Sequence, residues 1–285
     1  MAAPPHTNTP PAYLRLLAQP HRLWRWLRDL RHNPIYRRQR GDWGRPNPLF
    51  DQASRFAPFI FLGALIIGAC GGWLNPALFS SQSSRDAFLA CIVCLPAIML
   101  NVLTWYGVIM APALTAPAIG MEINAGTWDS IRTTPYSDIT ILCAKFLGAM
   151  ARLRIWLLLG IFSLLHGLLL FLFSLYLSST APKQAISSLF VSGFTAVRPW
   201  LEIITAGILG MNLSTHIRST TLALAASYAG ILLIKLLTNN LLWTLLFNSS
   251  STVLPIGGPI LVYLLLIAAL TLNLLRRAPR LGEFA

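Results

Sequence analysis

Residues 121–135 read MEINAGTWDSIRTTP and lie between two long apolar runs of the chain. The stretch contains three charged side chains, those of Glu122, Asp129 and Arg132. Each charge at the centre of a membrane-spanning helix costs about 2.5–3.5 kcal/mol. We therefore predict that residues 121–135 lie outside the lipid and separate the membrane-embedded parts before and after them.

The same stretch has the signals of a short helix held at the membrane surface. Thr127 is a candidate N-cap for a helix over residues 128–133, and Pro135 ends that helix because proline has no amide hydrogen. Gly126 has no side chain, so another surface can approach its backbone closely. We predict a short amphipathic helix suited to docking against a soluble partner.

The composition of the chain is that of an integral membrane protein. Of its 285 residues, 55% are hydrophobic and 11% are charged, whereas soluble domains average about 25% charged residues. The chain carries 22 Lys and Arg against 9 Asp and Glu. This basic excess lies beside apolar runs, so anionic lipid headgroups explain it. No nucleic-acid-binding module is visible, and we predict no nucleic-acid partner.

Six apolar runs approach the roughly 20 residues that a membrane-spanning helix needs. They lie at residues 57–74, 88–112, 155–177, 199–216, 220 to at least 234, and 254–275. We predict an all-α integral membrane protein with six transmembrane helices, whose transmembrane domain is residues 57–275. Residues 115–150 form the loop between its second and third spans, and residues 276–285 form a tail.

Most of the 22 basic residues fall on one side of these spans, together with residues 1–56, 121–135 and 276–285. Basic loops favour the cytoplasmic side of a membrane. The pattern predicts a multi-pass protein of the cell (cytoplasmic) membrane, with both termini and the 121–135 stretch in the cytoplasm.

The N-terminal segment, residues 1–56, contains a basic stretch at residues 13–31. Leucines and arginines fall on different faces of a helix there, and Trp24 and Trp26 are typical of a membrane interface. We predict an amphipathic interfacial helix that lies in the headgroup plane and binds anionic lipids. An ordinary solvated helix is the alternative.

A second surface helix is predicted after Pro135. Ser137 can cap it, and an apolar stripe follows at helical spacing. The stripe consists of Ile139, Leu142, Cys143, Phe146 and Met150. Lys145, Arg152 and Arg154 are predicted to hold this helix near the surface before the chain turns into the third span.

The segment 236–253 has a short apolar centre between polar clusters. We predict a re-entrant or interfacial segment on the outer side, between spans 5 and 6. Lys235 then either extends its ammonium group to the outer interface or is a buried functional group. Arg198 and Glu202 are four residues apart on one helix face and can pair near the outer surface.

No catalytic or nucleotide-binding motif occurs in the sequence. The P-loop pattern G-x-x-x-x-G-K-[ST] is missing, and the five histidines lack metal-ligand spacing. We predict no enzyme activity, cofactor or metal site in this chain. Polar residues inside the predicted spans are candidates for a pathway or, equally, for hydrogen bonds between helices. They are Asn101, Thr104, His166, Asn212, Ser227 and Lys235.

Residues 122–135 resemble a signature of the membrane subunits of ATP-binding-cassette transporters of the type-2 export-permease class, E-x-x-x-G-T-x-x-x-[LI]-x-x-T-P. The matching positions are Glu122, Gly126, Thr127, Ile131, Thr134 and Pro135. Residues 210–228 resemble that family's junction between spans 4 and 5, and residues 33–38 resemble its N-terminal approach. The resemblance covers nearly the whole chain.

The resemblance implies a permease subunit of an exporter that is driven by a separate cytoplasmic ATPase, on which ATP would bind. Residues 121–135 would form the coupling helix in a groove of that ATPase, and Gly126 and Thr127 would shape the docking turn. The other contacts would be the anchors Trp128 and Ile131 and the charge partners Glu122, Asp129 and Arg132. A second permease subunit, identical or different, is expected to complete the pathway.

Two other classes of protein remain open. The first is a non-transporting membrane anchor, a structural subunit of a larger assembly, which the basic N-terminal segment would suit. The second is a membrane-embedded enzyme, for which the sequence offers no nucleophile, base or metal set.

Overall fold

The computed structural model describes residues 28–41, 82–180, 182–217, 219–239 and 253–278. These residues are mostly helical and contain no strand. The helices are α1 (Pro34–Arg40), α2 (Gln82–Thr115), α3 (Pro117–Asn124), α4 (Trp128–Arg132), α5 (Asp138–Arg152), α6 (Trp156–Thr180), α7 (Pro182–Ser214), α8 (Thr220–Leu237) and α9 (Val253–Arg277). The all-α prediction is confirmed for this part of the chain.

Several helices begin at residues whose side chains satisfy the first free amides. Ser137 accepts a hydrogen bond from the Thr140 amide, as predicted for the start of α5. Ser219 does the same at the start of α8. Asn33 caps α1, and Pro34 follows it at the first helical position, where its missing N–H costs nothing.

Three helical segments are long and apolar enough to cross a membrane, among the residues that the structure describes. They are Pro96–Asn124, Thr220–Leu237 and Gly257–Arg277. A fourth crossing is possible if α5 and the Trp156–Leu172 part of α6 are one span, broken by a bend of 71°. These segments overlap the second, fifth, sixth and third predicted spans, and the first of them extends to Asn124, past the predicted end of the second span at residue 112.

The predicted fourth span, residues 199–216, is not among these segments. It belongs to α7, which begins at Pro182 and packs against α2, α6, α8 and α9. Most of its residues between 202 and 212 are buried. Because the neighbouring helices cover this part of α7, it needs less apolar surface for contact with lipid.

Some predicted features lie outside the described residues. They are the first span at 57–74, most of the interfacial helix at 13–31, residues 240–252 of the predicted outer segment, and residues 279–285 of the tail. The total of six spans stays a prediction.

The outer surface of the helices is apolar, as lipid contact requires. Leu157 and Leu164 of α6, Leu232 of α8 and Leu265 of α9 all expose more than half of their surface. Inside, Leu103, Val108, Leu159, Ile203 and Ala206 form one hydrophobic cluster from α2, α6 and α7. An apolar rim around a close-packed centre indicates a helical bundle in lipid.

The turn between α5 and α6 was predicted and is present. Arg154 has φ 54°, which is unusual for a residue other than glycine. The indole N–H of Trp156 donates to the Met150 carbonyl at 2.7 Å and ties the two sides of the bend together.

We predict that Gly210→Ala lowers stability because α7 and α2 touch there. An added Cβ would lie 2.6 Å from Thr115 Oγ1 and 2.9 Å from Pro112 Cα. Such overpacking costs about 1–3 kcal/mol. Thermal unfolding in detergent measures the loss, with Gly193→Ala in the same helix as control, since no described atom lies within 4 Å of its Cβ position. Equal melting temperatures for the two variants would contradict the close approach.

Candidate functional site

The 121–135 loop is built on a tight turn after α3. Gly126 has φ 65°, and its amide donates to the Ile123 carbonyl at 3.1 Å. The Thr127 amide donates to the Glu122 carbonyl at 3.0 Å. A left-handed residue at the end of a helix is usually glycine, because a Cβ is unfavourable there. The glycine of the motif is therefore explained by the conformation of the turn.

The Glu122 carboxylate is the centre of this turn. The Thr127 hydroxyl donates to it, Lys145 Nζ lies 3.2 Å from its Oε1, and Arg38 Nη2 lies 3.8 Å away. Only 13% of the Glu122 side chain is exposed. Three motif positions, Glu122, Gly126 and Thr127, thus belong to one local arrangement.

Lys145 is buried, and the prediction that it holds α5 at the surface is wrong. Its side chain is 1% exposed, and its ammonium group donates to the Ala118 carbonyl at 2.8 Å as well as pairing with Glu122. The same Nζ lies 5.6 Å from the centre of the Trp128 ring. Because Lys145 stands near Leu142 and Ala149 on the inner face of α5, its charge faces α3 instead of water.

Trp128 connects the loop to the rest of the bundle. It is 2% exposed and belongs to a hydrophobic cluster with residues of α3, α5, α7 and α9. These residues are Ile119, Ile141, Leu142, Met211, Leu274 and Ala278, with Ile131 packed at the edge. Trp128 was predicted to be an anchor buried in a groove of the partner ATPase. In the structure it is already buried within this chain.

Thr127 occupies the predicted N-cap position, but its side chain makes no capping hydrogen bond. Its hydroxyl bonds to Glu122 instead, so the predicted capping interaction is wrong. The helix itself is Trp128–Arg132, close to the predicted range.

The outer face of the loop carries other residues. Met121 exposes 61% of its surface and Tyr136 exposes 37%. Both are large hydrophobic side chains that the rest of the chain does not cover. Asp129 and Pro135 are also exposed, whereas the Thr134 hydroxyl bonds to the Ile131 carbonyl. The side chain of Arg132 lies outside the described residues. Sequence reasoning did not select Met121 or Tyr136, although each is a bulky side chain at the edge of a charged loop.

A second cluster of charges lies within the helices. Glu202 of α7 pairs with Arg198 at 2.8 Å, as predicted, and with Lys235 of α8 at 2.6 Å. The Lys235 ammonium also lies 4.1 Å from the Trp105 ring centre. Of the two alternatives for Lys235, the structure supports the inward one, because its ammonium faces Glu202.

The cluster continues into α9 through Thr238. Arg198 Nη2 donates to the Thr238 carbonyl at 3.1 Å, and the Thr238 hydroxyl is 2.8 Å from that of Tyr263. Glu202 and Lys235 lie about 20 Å along their helices from the α7–α8 connection. If the α7–α8 connection lies at one membrane surface, that depth is inside a hydrocarbon layer about 30 Å thick.

The other polar candidates have varied surroundings. Asn212 donates to the Leu270 carbonyl at 2.9 Å and accepts from Asn273 at 3.0 Å, so it joins α7 to α9. Thr104 and Ser227 bond to carbonyls of their own helices. Asn101 lies on the exposed side of α2. His166 Nδ1 is buried and has no hydrogen-bond partner among the described residues.

No protein-family model, curated protein or solved structure matches this chain. The residues that the structure describes contain no group of His, Cys, Asp and Glu arranged to hold a metal ion. The resemblance to export permeases therefore rests on the sequence patterns alone.

We predict that Lys145→Met destabilises the protein by about 3–5 kcal/mol, because it leaves a largely buried carboxylate without its main counter-charge. The double variant with Glu122→Gln should lose less than the sum of the two single variants. Unfolding free energies in detergent give this coupling, and Arg277→Met, at the exposed end of α9, is the control. Additive losses would contradict the pairing.

For the inner cluster we predict that Glu202→Gln is more harmful than Lys235→Met. The first removes the carboxylate that Arg198 and Lys235 share, whereas the second keeps the Arg198–Glu202 pair. We expect losses of about 3–5 kcal/mol for Glu202→Gln and a smaller loss for Lys235→Met, measured by thermal unfolding. The reverse order would show that Glu202 is not the shared partner.

Proposed function

We propose that this chain is the transmembrane permease subunit of an ATP-driven exporter, coupled to a separate cytoplasmic ATPase through the 121–135 loop. The observation that carries the proposal is the turn in which Glu122, Gly126 and Thr127 meet. The resemblance includes these three residue types at these spacings, and the geometry of the turn explains why each type occurs at its position.

The packing of the loop supports a role in transmitting force. Trp128 is fixed in a cluster that includes Met211 of α7 and Leu274 of α9. Lys145 links α5 to α3, and Arg38 lies beside the same carboxylate. A displacement of the loop would therefore move the ends of α7 and α9 with it. Rigid-body shifts of packed helices are a common way in which conformational changes are transmitted.

The contact surface for the ATPase is then the exposed face of the loop. Met121 and Tyr136 supply large side chains, and Asp129 supplies a charge. Interfaces are typically centred on such bulky residues and surrounded by polar ones. Glu122 and Trp128 would act indirectly, by shaping the loop from inside.

The complete assembly that we propose has a cell-membrane location, both termini and the loop in the cytoplasm, six spans per subunit and a second permease subunit. ATP would be bound and hydrolysed on the partner ATPase. The apolar surfaces of α6, α8 and α9 support the membrane location. The distribution of basic residues supports the orientation.

The direct test is a gentle detergent pull-down of the full chain from its native membrane, followed by mass identification. We expect a stoichiometric ATPase with a P-loop, and we expect Met121→Asp with Tyr136→Asp to reduce its recovery. Leu265→Asn, on the lipid-facing side of α9, is the control. Other membrane subunits without an ATPase would overturn the proposal and favour the anchor.

A pair of substitutions at Gly126 tests whether the turn itself is needed. Valine in a left-handed conformation costs about 1–2 kcal/mol, whereas asparagine tolerates it. We expect Gly126→Val to weaken ATPase recovery by about tenfold and Gly126→Asn to retain most of it. Equal losses would mean that the bare backbone is required, and no loss in either variant would contradict docking at this loop.

A further inference from the structure

A cavity of about 520 Å³ lies between residues 28–36 and the α5–α6 bend. Binding pockets for small molecules typically have volumes of about 300–1,000 Å³. In the described part of the chain, the residues that line the cavity include Arg28, Arg31, Phe146, Met150, Ala151 and Trp156. The lining is assembled from residues 28–36, α5, α6 and α7.

The lining has an apolar part and a basic part. Phe146, Met150 and Trp156 belong to the apolar part, which makes up most of the wall. The basic part consists of Arg28 and Arg31, whose guanidinium groups form no ion pair with any residue in the described ranges. A ligand that fits both parts has an apolar chain and an anionic head.

The position of the cavity agrees with such a ligand. It borders Trp156, the first residue of α6, at the bend of 71° between α5 and the apolar helix that follows. Tryptophan is enriched at membrane interfaces, where headgroups and acyl chains meet. If the bend lies at the membrane interface, as the sequence predicts for α5, lipid molecules reach the cavity from the side.

We propose that the cavity binds one anionic phospholipid, with its phosphate on Arg28 and Arg31 and part of an acyl chain against Phe146, Met150 and Trp156. Basic pockets between helices are known sites for anionic headgroups. A zwitterionic lipid has the same chains but no net charge for the two guanidinium groups. This site would hold residues 28–36 against the α5–α6 bend whether or not the protein transports a substrate.

The test measures lipid binding to the purified full chain by native mass spectrometry. The probes are dioleoylphosphatidylglycerol, dioleoylphosphatidylcholine and glycerol 3-phosphate, which is a phosphate headgroup without chains. We expect the anionic lipid to bind about tenfold more tightly than the zwitterionic one, since two nearby cations favour it. We expect glycerol 3-phosphate, at the same concentration, not to displace it.

Three variants locate the site. Arg28→Gln with Arg31→Gln should remove the preference for the anionic lipid. Arg276→Gln with Arg277→Gln removes the same charge from side chains that do not line the cavity and should keep the preference. Ala151→Phe, which fills the cavity without changing charge, should weaken binding of both lipids. Equal binding of the two lipids by the unmodified chain, equal losses in both arginine pairs, or displacement by glycerol 3-phosphate would each overturn the proposal.

Discussion

The ammonium group of Lys145 is the point on which the 121–135 loop depends. It is buried, and it finds its partners on α3, at the Ala118 carbonyl and the Glu122 carboxylate. A charge in such a place is expensive unless it is paired and hydrogen-bonded. Its burial therefore fixes the distance between α3 and α5, and the Gly126 turn and the Trp128 helix lie between these two helices.

The same requirement applies to the buried carboxylate of Glu202. One carboxylate serves two cations, and the side chains come from α7 and α8, with Thr238 and Tyr263 extending the network to α9. In apolar surroundings each partner limits the movement of the others. Helix α7 connects the Lys145–Glu122 pair to the Glu202 cluster, because Met211 packs under the loop and Glu202 pairs with Arg198 and Lys235.

The structure also changes which loop residues are expected to meet a partner. Charge and aromatic character in the sequence favoured Glu122 and Trp128, yet both have partners inside the chain. The large side chains that the loop exposes are instead those of Met121 and Tyr136. A motif residue can be required at its position because it shapes a surface, without being part of that surface.

The sequence by itself determined the helical, membrane-type character of the chain, the helix start at Ser137, and the pairing of Arg198 with Glu202. Composition, capping residues and an i,i+4 spacing are local properties, so they can be read from neighbouring residues. Only the tertiary structure decided that Lys145 points inward and that Lys235 meets Glu202. Their partners lie 23 and 33 residues away, and no local pattern records which helices pack together.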